Sequence, residues 1–156
     1  MRAIFLDFDG VLNNGEFLFN NISDFPNLIM EEKVTLLNDL IGRTNAKIIF
    51  STSWREEFTF DELIRVLEKV GFKHRDKCIG VTPVQLMDTR ADEIITSLRE
   101  NGITKFIVLD DNAEELYGIS PYNKVITNPN IGLTKEDVTE AIKMFNVQDT
   151  KFKNVD

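Results

Sequence analysis

The chain has 156 residues, of which 42% are hydrophobic and 28% charged, and carries a net charge of -8. That supports one globular domain with a real core and is short for two, and it excludes a wholly disordered chain. A single cysteine (Cys78) and a single histidine (His74) exclude disulfides within the chain, cysteine zinc sites and paired-histidine metal sites, so a metal here must be held mainly by oxygen. The acidic balance disfavours a nucleic-acid coating role.

Met1-Arg2 leads into an apolar run that reaches Asp7 almost at once, too short for a secretory leader. No apolar run approaches the roughly 18 residues that span a bilayer, so no membrane contact and a cytoplasmic location are expected. Arg2–Leu6 reads as a buried strand. Glu31–Ile41 is a helix with Val34, Leu37 and Ile41 on one face, and Lys47–Phe50 a second buried strand. Asp61–Val70 is a helix capped by Gly71, and Cys78–Val81 a short third strand. Ala91–Glu100 is a helix ending at Asn101-Gly102, followed by the clearest strand, Lys105–Leu109. A helical turn starts at Glu114, Lys124–Thr127 is a fifth strand, and Thr134–Phe145 is a last helix with Thr134 and Asp137 at capping-box spacing. Residues 148–156 read as a polar tail behind a domain of residues 1–147.

Strands alternating with helices predict an α/β fold: a single Rossmann-like three-layer domain with a mostly parallel five-stranded sheet and helices on both faces. Ligands in such sheets bind at the carboxyl ends of strands. Behind the first strand stands Asp7-Phe8-Asp9-Gly10-Val11-Leu12-Asn13, two carboxylates one residue apart and a glycine that lets the chain turn. Behind the second stands Ser51-Thr52-Ser53-Trp54-Arg55, and behind the fourth Asp110-Asp111-Asn112. Each piece alone is as readily a turn or a helix cap. Together they bring acids from two strand ends to one rim, which is electrostatically costly without a cation, and Mg2+ suits an all-oxygen donor set.

Leu6-Asp7-Phe8-Asp9-Gly10-Val11-Leu12 resembles the first motif of the haloacid dehalogenase (HAD) superfamily of phosphohydrolases, Phe50-Ser51 its second and Leu109-Asp110-Asp111 its fourth. The run Phe50–Arg55 with Gly132-Leu133-Thr134 resembles a small bacterial and phage subgroup, some relatives of which occur fused within RNA-repair proteins. The resemblance implies that Asp7 is the nucleophile and Asp9 the general acid and base. It implies Mg2+ on the Asp7 carboxylate, the Asp9 backbone carbonyl, Asp110 and Asp111. Ser51, or Thr52 if the strand ends one residue later, would bind the phosphoryl group, with Arg90 preferred over Lys77 as the cation that holds it. Trp54 and Arg55 are further candidates for substrate contact, although core packing is favoured slightly for Trp54.

Neither the gap from Asn13 to Glu31 nor that from Arg55 to Arg90 is long enough for the cap domain many family members carry, so an open site with little or no cap is expected. Phe17, Phe19 and Phe25 fall in the first gap, as a flap or contact surface. The expected activity is Mg2+-dependent phosphomonoester hydrolysis through an aspartyl-phosphate, on a small molecule, a nucleotide or a phosphorylated nucleic-acid end. The alternative is a catalytically inactive phosphate-binding or regulatory protein.

Overall fold

A central strand, β1 (Arg2–Leu6), organises the computed structural model, which describes residues 1–85 and 88–153, with side chains through residue 150. After β1 come α1 (Gly15–Asn21), α2 (Glu31–Thr44), β2 (Lys47–Phe50), α3 (Phe60–Glu68) and β3 (Cys78–Val81). They are followed by α4 (Arg90–Asn101), β4 (Lys105–Asp110), β5 (Lys124–Ile126) and α5 (Lys135–Lys153). The strands form one sheet in the order β3-β2-β1-β4-β5, and all four pairings are parallel. The chain runs outward from β1 through β2 to β3, then crosses back over α4 to β4 on the other side of β1. The junction between β1 and β4 is therefore the topological switch point, where flanking loops diverge and leave a crevice.

Strand alternation sends side chains to two cores. Ile4, Leu6, Ile48, Phe50, Ile107 and Leu109 face one side, where α2, α3 and α5 cover them with Val34, Leu37, Leu67, Ala141 and Phe145. Ala3, Phe5, Ile49 and Val108 face the other, under Ala91 and Ile94 of α4. The strands that carry the site are thus buried on both faces.

Helix starts follow their capping residues. Thr59 before α3 and Thr89 before α4 form reciprocal capping boxes with Glu62 and Asp92. The box expected at Thr134 also forms: Thr134 N donates to Asp137 Oδ2 (3.0 Å), and Asp137 N to Thr134 Oγ1 (3.1 Å).

Two segments differ from the sequence expectation. The loop after the first motif holds α1 and a 3-10 turn (Ile22–Asp24), neither burying a side chain, with Phe19 84% exposed. The polar tail is a correction. Helix α5 runs to Lys153, because Gln148 is buried and brackets Phe106 at the start of β4, Oε1 accepting from its N–H (3.0 Å) and Nε2 donating to its carbonyl (2.9 Å). Asp149 is paired with Arg2 and with Lys105 (2.8 Å). Residues 154–156 of that expected tail lie outside the described residues.

Candidate active site

The hydrogen-bond ladder of the sheet continues one residue past its strands and sets the site. Asp7 N donates to Leu109 O (3.0 Å), Ser51 N to Leu6 O (2.8 Å) and Thr127 N to Asp110 O (2.9 Å). Asp7, Ser51 and Asp110 are therefore fixed side by side on the carboxyl rim, all three buried. Asp111 follows on the same rim, half-buried. Carboxylate oxygens of Asp7, Asp110 and Asp111 lie within 4.8 Å of one another.

Gly10 makes this approach possible. Its φ is +81°, and a Cβ there would stand 2.2 Å from Asp111 Oδ2. Thr127 Oγ1 donates to Gly10 O (2.7 Å) and ties the turn to the end of β5. Gly132 plays a similar part behind the first motif. Its φ is also +81°, a Cβ would meet Asn13 O at 2.7 Å, and the next residue donates through Leu133 N to Val11 O (2.8 Å). The Gly132-Leu133-Thr134 element thus clasps the Asp7–Asn13 loop.

Arg90, the first residue of α4, reaches into the acidic cluster. Its NH1 donates to Asp7 Oδ2 (3.1 Å) and Asp110 Oδ2 (2.8 Å). One guanidinium faces three carboxylates. Burial pushes the Asp7 carboxyl well above the usual carboxylate range, and the Asp110 charge adds to this; Arg90 and the Phe8 N–H pull it back without cancelling the effect. Burial and the Asp110 charge likewise raise Asp111. Burial alone would lower Arg90, but Asp7 and Asp110 outweigh it and hold the guanidinium charged. A cluster of three carboxylate oxygen donors with surplus negative charge fits a hard divalent cation such as Mg2+.

The two hydroxyls left open by the sequence are in different states. Among the described residues, Ser51 Oγ is buried without a hydrogen-bond partner, whereas Thr52 Oγ1 accepts from Trp54 N (3.3 Å) as the cap of a 3-10 turn, Ser53–Glu56. The two candidate cations separate as well. Lys77 precedes β3 at the amino end of the sheet, where its Nζ donates to Asn45 Oδ1, while Arg90 stands on the rim.

Arg55 is placed in internal contacts rather than at the substrate. The Arg55 side chain is 6% exposed: Nε donates to Thr82 O (3.1 Å), NH1 to Thr52 O (2.7 Å), and NH2 to Pro83 O (3.4 Å) and Glu93 Oε2 (2.6 Å). All three of its guanidinium nitrogens are engaged in clasping the loops after β2 and β3 to α4. Trp54 is 5% exposed and packs against Phe8, Phe25 and Phe58. Asp9 stands apart from the acidic cluster, its carboxylate accepting from Asn13 Nδ2 and Trp54 Nε1 (3.1 Å each). Asn13 and Glu93 are site-building residues that sequence reasoning passed over. The available signals were weak: Asn13 closes the first motif, and Glu93 sits one turn after Arg90 on α4.

A family model described as "HAD domain in Swiss Army Knife RNA repair proteins" matches residues 3–138. The chain belongs to this family. No curated protein and no solved structure matches it. The matched span of this HAD domain runs from β1 into α5 and includes every rim residue described above. Its parallel sheet is the hydrolase-type α/β architecture expected from the motifs. Among the described residues, no helix of the HAD domain is long and apolar enough to cross a membrane.

Proposed function

We propose that this HAD domain is a cytoplasmic, Mg2+-dependent phosphomonoester hydrolase that forms an aspartyl-phosphate on Asp7. The reading rests above all on the Asp7, Asp110 and Asp111 oxygens within 4.8 Å, crossed by a single Arg90 guanidinium. Asp7, Asp110, Asp111 and the Asp9 backbone carbonyl would hold Mg2+, which when bound offsets the repulsion between carboxylates and a phosphoryl group.

An Asp7 carboxylate oxygen attacks phosphorus, and the bond from phosphorus to the ester oxygen breaks with its electron pair going to that oxygen. Asp9 gives a proton to the departing oxygen. In the second half Asp9 takes a proton from water, the water oxygen attacks phosphorus, and the bond to Asp7 breaks to release inorganic phosphate and restore the carboxylate. Ser51 Oγ, which has no other partner among the described residues, donates to a phosphoryl oxygen, and Arg90 pairs with the same group. Positioning and charge stabilisation of this kind carry most of the catalysis of phosphoryl transfer.

The substrate follows from two features. The segments between β1 and α2 and between β2 and β3 contain only α1 and α3 besides short turns, so the rim stays open to large substrates. The matching family is described from RNA-repair proteins. A phosphorylated RNA end is therefore the favoured substrate class, with a free nucleotide the nearest competitor; the -8 charge suits a grip on one terminal phosphate better than extended contact with a strand. Phosphate release from p-nitrophenyl phosphate and from 3'- and 5'-phosphorylated oligoribonucleotides is the test. Release should require Mg2+ and vanish in Asp7→Asn; release that survives Asp7→Asn would refute the mechanism.

A further inference from the structure

The chain contains one tryptophan, and its indole N–H is spent on a catalytic carboxyl. Trp54 Nε1 donates to Asp9 Oδ2 at 3.1 Å. The ring that carries this donor is hemmed in by Phe8, edge-on at 5.2 Å, and by the tilted rings of Phe25 at 4.9 Å and Phe58 at 6.1 Å. The other oxygen, Asp9 Oδ1, accepts from Asn13 Nδ2 at 3.1 Å. Asn13 is itself locked: it is fully buried, its Oδ1 accepts from Gly10 N (2.8 Å), and its Nδ2 also donates to Leu28 O (2.9 Å).

A carboxyl held at one oxygen still rotates about its Cβ–Cγ bond. Held at both, it presents one face only. Each oxygen keeps a second lone pair, where the transferable proton can sit clear of the N–H donors. Proton transfer to a leaving oxygen needs the two oxygens within about 2.6–3.2 Å, so the direction of this face matters.

We propose that Trp54 is a positioning residue for Asp9: its indole N–H, together with the Asn13 amide, fixes the orientation in which Asp9 hands its proton to the departing oxygen. The inference rests on the phosphatase reading above, with Asp9 as general acid. It accounts for a tryptophan three residues past Ser51 that is too buried to stack on a substrate.

The test compares esters that differ in their need for that proton. A p-nitrophenolate departs without protonation, whereas the benzyl alkoxide of benzyl phosphate does not. Trp54→Phe keeps an aromatic ring among Phe8, Phe25 and Phe58 and removes only the donor. With Mg2+ present, kcat/KM should fall about tenfold or more on benzyl phosphate and less than about threefold on p-nitrophenyl phosphate, general acid catalysis being worth about 10²–10⁴ in rate. Replacing the sole tryptophan by 3-benzothienylalanine, with sulfur for the N–H, gives the same comparison at nearly unchanged shape if the phenylalanine variant does not fold.

Equal losses on both esters, or no loss, would overturn the positioning role while leaving the phosphatase reading in place. A wild-type protein that releases phosphate neither from these esters nor from phosphorylated oligoribonucleotides would overturn both. The contact has its own readout, since all indole emission comes from Trp54: Asp9→Ala should change its intensity or wavelength, and an unchanged spectrum would overturn the inference.

Discussion

Arg55 and Glu93 form the most deeply buried ion pair described, 2.6 Å between NH2 and Oε2, with side chains 6% and 10% exposed. Removing one member leaves the other charged and without its partner away from water. Arg55→Ala strands the Glu93 carboxylate and abandons the carbonyls of Thr52, Thr82 and Pro83. Breaking a buried pair from one side costs about 3–5 kcal/mol. For a domain of this size each kcal/mol lowers Tm by about 2–4 °C, so a drop of about 6–20 °C is expected. Glu93→Gln keeps an acceptor and should cost less, and the Arg55→Met/Glu93→Met pair should recover part of the loss; with the two methionine single variants it closes a double-mutant cycle that reads the coupling. Urea and thermal melts measure the stability, and steady-state kinetics on p-nitrophenyl phosphate the activity. Because Arg55 ties the loop bearing Ser51 to the helix bearing Arg90, kcat should fall along with Tm. An arginine that instead gripped substrate would raise KM and leave the melt alone. Arg55→Ala melting within about 2 °C of wild type would refute the reasoning.

Ser51→Ala deletes a hydroxyl with no partner among the described residues, so stability should change by less than about 0.5 kcal/mol while kcat falls about 100-fold; a large stability loss in the urea melt would mean that the hydroxyl is structural. Mg2+ at about 100 times its Kd should stabilise the protein by about 2.7 kcal/mol, and Asp110→Asn should remove that shift in a thermal melt. The Asp149 carboxyl is held below its ordinary range by hydrogen bonds from Lys105 and Arg2. Its folded value lies under its unfolded one, so its contribution is complete above the unfolded range and fades as pH falls through the folded one. Asp149→Asn should therefore lower the urea midpoint at neutral pH and converge on wild type as pH falls below the ordinary carboxylate range and through the lowered folded one; a difference that stays constant as the pH falls would contradict the assignment.

Strands β1, β2 and β4 were legible because each is a short apolar run with both faces buried, and the acids stand at the ends of β1 and β4. Most helix boundaries shifted by only a residue or two. Helix α1 was not legible because it buries no side chain and so leaves no apolar period. The end of α5 was lost for a related reason: Gln148 and Asp149 are polar, and what holds them there is Phe106 and the Arg2–Lys105 pair, more than forty residues away in sequence. Arg55 shows the same limit at the site. A cation after a run of hydroxyls has the same local pattern whether it grips a phosphate or a buried glutamate, and only the position of Glu93 on α4 separates the two.

Two kinds of construction meet at the rim. The spacing of Asp7 from Asp110 is inherited from the sheet: Leu6 and Leu109 are in register on neighbouring strands, and parallel neighbours lie about 4.8 Å apart. The carboxylates therefore crowd together as a consequence of strand pairing, and their repulsion cannot be relieved without breaking the ladder. Arg90 and Asp9 come from outside that ladder and depend on side-chain clasps, Arg55–Glu93 for the one and Asn13 with Trp54 for the other. Substitutions at Asp7 or Asp110 should therefore remove metal and chemistry with little loss of stability, because burying surplus charge opposes folding. Substitutions in the Arg55–Glu93 clasp should degrade stability and catalysis together. An Arg55 variant that loses activity at an unchanged melting point would place that residue in contact with the substrate instead.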